Sequence, residues 1–338
     1  MYFNLMNNNY CKPLKRLYAI KDQLKSQKYS NTFEYNSTKL SFNKTSWSMK
    51  FIDNIDIPQK TKTLKNKTIF ITGASRGIGL SIAIAAASQG ANIAVVAKTA
   101  TENKKLPGTI YTAVEEINKA GGKGLAIQCD IRSEESVKNA VEKCVHTFGG
   151  IDILINNASA ISLTSTSNIT MKTYDLMHSV NARGTFICSK YCLPYLIKSN
   201  NPHILTISPP LNNITNTKWF KDFPAYAMAK FGMSIYANAF SAEFKEYGIA
   251  SNCLWPRTSV ATAAVQNLLG GDETMKRSRK PEIMADSAII ILNSDAKCFS
   301  GNFLIDDEVL LSSGVTDLKK YNCIENINDN ELMPDLFV

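Results

Sequence analysis

From Lys67 onward the chain alternates short β-branched and aliphatic runs with longer segments whose apolar side chains recur every three or four positions. The short runs fall at 68–72, 92–97, 125–129, 151–155, 203–207, 249–254 and 302–305. Their apolar character is nearly continuous, which suits strands buried on both faces. The longer segments read as helices over 78–89, 110–119, 133–147, 174–197, 225–246 and 283–292. Gly90 and the pair Gly121-Gly122 stop two of them, and Ser133-Glu134-Glu135-Ser136 can cap a third. Regular alternation with right-handed crossovers predicts an α/β fold. It is one doubly wound parallel sheet of about seven strands with helices on both faces.

One domain is expected over 65–306, because no second pattern of comparable length follows. Residues 307–338 read as a wrapping tail, with Leu332, Met333, Leu336 and Phe337 available to cover an apolar edge. Residues 1–64 differ from both: rich in Asn, Lys, Ser and Thr, they lack periodicity, a composition that favours disorder. This stretch holds eleven Lys/Arg against four Asp/Glu, which is +7 of the chain's net +9. The body is therefore nearly neutral, which argues against a nucleic-acid surface. No apolar run approaches the ~18 residues of a membrane span. Residues 13–25 can form a short basic amphipathic helix, the composition of a mitochondrial targeting peptide; an untargeted extension is the other reading. The eight cysteines are scattered without a Cys-x-x-Cys and read as reduced intracellular thiols, and the three histidines show no metal-ligand spacing.

Candidate chemistry gathers at predicted strand ends. Behind the first strand runs Thr72-Gly73-Ala74-Ser75-Arg76-Gly77-Ile78-Gly79, a glycine-rich turn leading into an alanine-rich helix. In the Rossmann arrangement a dinucleotide lies here. Gly73 allows the tight turn, Gly77 lets backbone approach a pyrophosphate, and Gly79 lets the helix pack close to the sheet. At the end of the second strand an acid would bond a ribose 2′-hydroxyl. This chain has Lys98 there, nineteen residues after Gly79, with no acid adjacent. Lys98 and Arg76 offer two cations to a 2′-phosphate, so NADP (NADPH) is the expected cofactor rather than NAD. Tyr226 and Lys230 stand four residues apart and share a helix face. A phenol of pKa ~10 is a poor base at neutral pH, and a nearby ammonium favours its ionised form.

The Thr72-to-Gly79 turn, Asn156-Asn157-Ala158, Asn181 and the Tyr226/Lys230 pair together resemble the short-chain dehydrogenases/reductases, over roughly 65–338. The resemblance implies hydride transfer between a carbonyl and a secondary alcohol, with no metal. It casts Tyr226 as acid/base and Lys230 as its activator and a ribose ligand. Asn181 would hold a water leading to solvent, Asn157 would belong to the cofactor site, and Asp130 would contact the adenine. It also implies a homo-dimer or homo-tetramer joined through the helices that carry Asn181 and Tyr226.

Two departures stand out. Where the family has a substrate-orienting serine this chain has Pro209, with Ser208 one residue earlier as the candidate replacement. After the sixth strand it has Pro256-Arg257 in place of Pro-Gly, and Arg257 is expected at the surface. Leu211, Trp219, Phe220, Phe223, Trp255 and Val260 fall where the family lines its cleft, pointing to an apolar, lipid-like ketone or alcohol. A nucleotide-binding sensor or scaffold with little turnover is the competing function, and Pro209 is its argument. The final Asp335-Leu336-Phe337-Val338 is not a Ser-Lys-Leu-type signal, so mitochondria are expected ahead of peroxisome or cytoplasm.

Overall fold

The computed structural model describes residues 63–103, 106–325 and 327–338. The expected basic extension and its targeting helix therefore lie outside the described residues, apart from Thr63 and Leu64. Seven strands form one sheet: β1 (Thr68–Thr72), β2 (Asn92–Ala97), β3 (Lys123–Gln128), β4 (Ile153–Asn156), β5 (His203–Ile207), β6 (Ala250–Trp255) and β7 (Phe303–Ile305). Their order is β3-β2-β1-β4-β5-β6-β7 and every pairing is parallel. β1, β4, β5 and β6 are buried at every position, as their unbroken apolar character requires.

The longer helices are α1 (Gly77–Ala87), α2 (Ile110–Lys119), α3 (Glu134–Phe148), α4 (Met171–His178) and α5 (Gly184–Leu196). They continue with the short α6 (Lys218–Lys221), then α7 (Pro224–Glu243), α8 (Ala263–Leu268), α9 (Gly271–Lys276), α10 (Glu282–Leu292) and α11 (Asp306–Ser312). α1, α2 and α10 cover one face of the sheet through Ile82, Ala86, Ile117, Ala288 and Ile291. α3 and α5 cover the other through Val137, Val141, Ile187 and Cys188. No described helix is long and apolar enough to cross a membrane.

The single helix expected over 174–197 is divided. α4 begins three residues earlier, and a π turn (Ser179–Arg183) separates it from α5. The extra residue of such a turn re-aims one side chain, and here it carries the buried Asn181. The helix expected over 225–246 ends at Glu243 and finishes in a short 3-10 turn. α8 and α9 carry too few turns to leave a clear periodicity. α11 has Asp306, Asp307 and Glu308 in its first turn, where negative charge complements the helix dipole. Beyond it the chain returns across the molecule: Leu332 and Phe337 are buried, and Thr258 pairs with Pro334 in an antiparallel bridge.

Candidate active site

The sheet changes direction between β1 and β4, and the glycine turn lies just past that point. Gly73 and Gly77 take left-handed backbone angles, φ +68° and +58°. A Cβ on Gly73 would meet the Ala158 Cα at 2.8 Å, and one on Gly79 would meet the Asn157 Nδ2 at 2.5 Å. Both positions therefore exclude any side chain. Ala74 and Ser75 are buried beneath the turn, and Ile78 is half-buried on the first turn of α1. Arg76, the N-cap of α1, makes no side-chain cap bond, and the first turn contains no acid. Backbone amides at this helix start are thus left for an anion, favoured by the helix dipole. The cradle fits the pyrophosphate of a dinucleotide.

Asn157 serves that cradle from below. Its Nδ2 donates to the Thr72 carbonyl at 2.9 Å and the Gly73 carbonyl at 3.1 Å. The side chain expected to touch the cofactor therefore fixes the backbone that would hold it. Past β2, Lys98 keeps 60% of its side chain exposed and pairs with Asp130 at 3.3 Å. Asp130 also takes two guanidinium nitrogens of Arg132, whose hydrogen bonds hold its carboxyl well below the usual range. Lys98, Thr99, Thr101 and Gln128 line an open cleft of about 660 Å³. Arg76, the second cation expected here, is turned elsewhere: its guanidinium donates to the carbonyls of Leu106, Pro107 and Gly108. Of the two, Lys98 faces the cleft, and Arg76 fastens the 106–108 loop over the turn.

α7 starts with Pro224 at its first position, where the missing N–H costs nothing, and brings Tyr226 and Lys230 inward. They are 5% and 2% exposed. The Lys230 Nζ donates to the Ile207 carbonyl at 2.7 Å and lies 4.8 Å from the centre of the Trp255 ring. Burial pulls its pKa down to about 7, partly offset by the Asp335 carboxylate. The Tyr226 phenol is pushed well above its ordinary value, first by burial and then by Asp335. The lowered phenol expected from the four-residue spacing is therefore not what this arrangement produces. Low dielectric opposes the phenolate, and the Asp335 carboxylate opposes it further.

The π turn delivers Asn181 to the same end of the sheet. Its Oδ1 accepts from the Ala160 amide at 2.8 Å and its Nδ2 donates to the Ala160 carbonyl at 3.0 Å. The side chain thereby pins the loop after β4, with both amide atoms engaged. Ser208, the candidate replacement for the missing serine, is turned into the sheet. It is fully buried, and its Oγ donates to the Cys253 Sγ on β6 at 3.3 Å. Pro209 is held by the Ser234 hydroxyl, which donates to its carbonyl at 2.6 Å. Arg257 is not a surface residue either. It is ion-paired with Asp307 at 3.1 Å and with Glu308, and its backbone N–H donates to Asp306 at 2.9 Å.

Two site residues escape the motif reading, Asp335 and Phe337. The Asp335 carboxyl is buried, although the residue keeps some exposed surface, and burial lifts its pKa to about 7. The Phe337 ring lies 6.0 Å from the Tyr226 ring, between centroids. The sequence signal was the apolar pair Leu336-Phe337 directly behind an acid in the wrapping tail.

A nucleotide cradle, a buried Tyr/Lys pair on one helix and a pinned asparagine on the next define a nicotinamide-dependent dehydrogenase site. The family model described as short chain dehydrogenase matches residues 67–271, and the chain belongs to that family, whose members are oxidoreductases using a nicotinamide cofactor. Over 278 residues it is 53% identical to "Hydroxysteroid dehydrogenase-like protein 2" of Xenopus laevis, covering 82% of this chain. The match covers 65% of that relative, just under two thirds of its length. A putative dehydrogenase from Xanthomonas campestris is 52% identical with a TM-score of 0.78, covering 82% of this chain and 99% of that one. A short chain dehydrogenase from Mycobacterium thermoresistibile is likewise 52% identical, with a TM-score of 0.76, covering 82% and 96%.

The cradle makes a direct prediction. Gly79→Ala must push Asn157 off the Thr72 and Gly73 carbonyls, so it should lower stability by about 1–3 kcal/mol. Cofactor affinity should fall at least about tenfold, each 1.4 kcal/mol of lost binding being one factor of ten. Thermal unfolding and NADPH fluorescence titration measure the two effects. An unchanged affinity in a folded variant would show that the turn does not bind the cofactor.

Proposed function

We propose that this protein is an NADP-dependent oxidoreductase that interconverts a carbonyl and a secondary alcohol on an apolar, lipid-like substrate. The observation that carries the reading is the burial of Tyr226 and Lys230 together on α7, with the Lys230 Nζ on the Ile207 carbonyl at the end of β5, in the sheet whose switch point carries the glycine cradle. The 73–79 turn and the α1 amides would hold the pyrophosphate, Lys98 a 2′-phosphate, and Lys230 the ribose. When bound, the nicotinamide would supply or accept the hydride. In the reductive direction the Tyr226 hydroxyl gives its proton to the carbonyl oxygen, and in the oxidative direction its phenolate takes one from the alcohol. Lys230, when protonated and facing that oxygen, favours the phenolate. Trp219, Phe223, Phe231 and Trp255, gathered around Phe337, support an apolar substrate. The relative's name points to a hydroxysteroid, which has that character.

A sensor or scaffold that binds nucleotide without turnover is the second reading. Pro209 and the inward-turned Ser208 favour it, since neither supplies a donor to the substrate oxygen. The basic stretch before residue 64 supports mitochondrial import. Exposed Phe186, Met228 and Ile235 on α5 and α7 support association through those helices. A reporter fused behind residues 1–64 and sedimentation of the purified protein test these two points.

Two substitutions test the chemistry. Tyr226→Phe should leave NADPH affinity within about twofold while turnover falls by at least about 100-fold, the usual span for losing a general acid. Full residual activity toward medium-chain and steroid ketones would remove Tyr226 from the mechanism. Lys98→Asp should shift the ratio of catalytic efficiencies from NADP toward NAD by at least about tenfold, one bonded charge being worth roughly 1.5–3 kcal/mol. An unmoved ratio would reject the cofactor assignment.

A further inference from the structure

The Tyr226 hydroxyl must meet a substrate, yet Tyr226 is buried and Phe337 is fully buried against it. Around the Phe337 ring, centroid distances are 5.1 Å to Phe231, 5.8 Å to Trp219, 6.0 Å to both Tyr226 and Trp255, and 6.2 Å to Phe223. Five rings thus enclose a sixth that comes from far along the chain. The box is the aromatic lining expected around an apolar substrate, and a residue of this chain fills it.

We propose that Phe337 occupies the place of the substrate's flat apolar group, so that segment 334–338 gates the acid–base centre and withdraws before a carbonyl reaches Tyr226. The inference rests on the oxidoreductase reading of Tyr226 and adds to it the substrate's shape and a gate. Three observations carry it beyond packing. Phe337 holds φ +70°, a left-handed angle that a bulky residue adopts only under constraint from its surroundings. The constraint is visible: Trp255 Nε1 donates to the Leu336 carbonyl at 2.7 Å, and the Asp335 N–H donates to the Arg257 carbonyl at 3.0 Å. Behind the segment the chain is fastened more regularly, with Ser259 N–H on the Met333 carbonyl at 2.7 Å and Met333 N–H on the Arg277 carbonyl at 2.8 Å. A hinge therefore falls just beyond Pro334, itself bridged to Thr258, between the fastened stretch and the left-handed Phe337. The same withdrawal takes the Asp335 carboxyl away from the Tyr226/Lys230 pair, removing a charge that raises the phenol and that also supports the Lys230 ammonium.

A gate and a wall predict opposite signs. If Phe337 competes for the box, apparent affinity in the full chain is reduced by the fraction of molecules with the segment open, and Phe337→Ala removes that competition. Calorimetric titration with 2-acetylnaphthalene, a flat apolar ketone, should then show binding at least about tenfold tighter in Phe337→Ala than in the unaltered chain. If Phe337 were a wall of the pocket, the same variant would bind more weakly. Unchanged or weaker binding, or no binding by either form, overturns the proposal. Should Phe337→Ala fail to fold, deuterium exchange on the unaltered chain decides: adding 2-acetylnaphthalene must speed amide exchange over 334–338, and slowed exchange overturns the gate. The Tyr226→Phe/Phe337→Ala double variant should keep the tight binding while consuming no NADPH. Tight binding with no NADPH consumed by any form would leave the gate standing and reject the oxidoreductase reading; an active enzyme without the affinity gain would reject the gate alone.

Discussion

The reacting end of this molecule depends on how the ends of β1 and β4 are joined. Thr72, the last residue of β1, is buried, and its hydroxyl donates to the Ile155 carbonyl at 3.3 Å. The same oxygen accepts the backbone N–H groups of Asn157 and Ala158, each at 3.1 Å. Asn157 returns its side-chain amide to the Thr72 and Gly73 carbonyls. Nothing larger than hydrogen fits at Gly73 or Gly79 once this knot is tied. Satisfaction of buried backbone groups, closeness of approach and the left-handed turn are therefore one constraint, and it leaves the start of α1 open to a phosphate.

A second knot ties the far side of the site. Arg257, after β6, is held by Asp307 and Glu308 in the first turn of α11, and Arg279 reaches Asp307 at 3.4 Å. Breaking a buried pair by removing one partner typically costs about 3–5 kcal/mol, because the remaining charge is stranded. The cluster therefore sets the position of the loop after β6. Asp335 hangs its own backbone on that loop through the Arg257 carbonyl. What the motif reading took for an ordinary surface arginine is the anchor for the segment that enters the site.

The sheet was legible because buried parallel strands write their own signature. Ile69 to Ile71, Ile93 to Val96 and Ile204 to Ile207 carry large apolar side chains on both faces, and each lies in a strand. Alternation with helices of ten or more residues left little freedom in topology. Local signals failed where the decisive contact is remote. The π turn at Asn181 follows from its bonds to Ala160, twenty-one positions away, which no helical periodicity reveals. Ser208 looked available beside Pro209, but its orientation is decided by Cys253 on the neighbouring strand. The tail was legible as apolar cover, while its destination, the Tyr226 ring, depends on contacts more than 100 positions apart.

Burial and proton transfer pull Tyr226 in opposite directions. Enclosure by aromatic rings excludes water and strengthens every charge interaction inside, which serves a reaction that moves hydride and proton together. The same enclosure raises the phenol above its solution pKa and draws the Lys230 ammonium down to about 7, so neither group is in its most useful state. The conflict is resolved if the enclosing group changes with the reaction cycle. A hydrocarbon substrate can replace Phe337 and keep water out, whereas it brings no carboxylate to replace Asp335. Swapping the segment for a substrate would then preserve the dry aromatic shell while taking the Asp335 carboxyl from beside the phenol, which a fixed wall could not do.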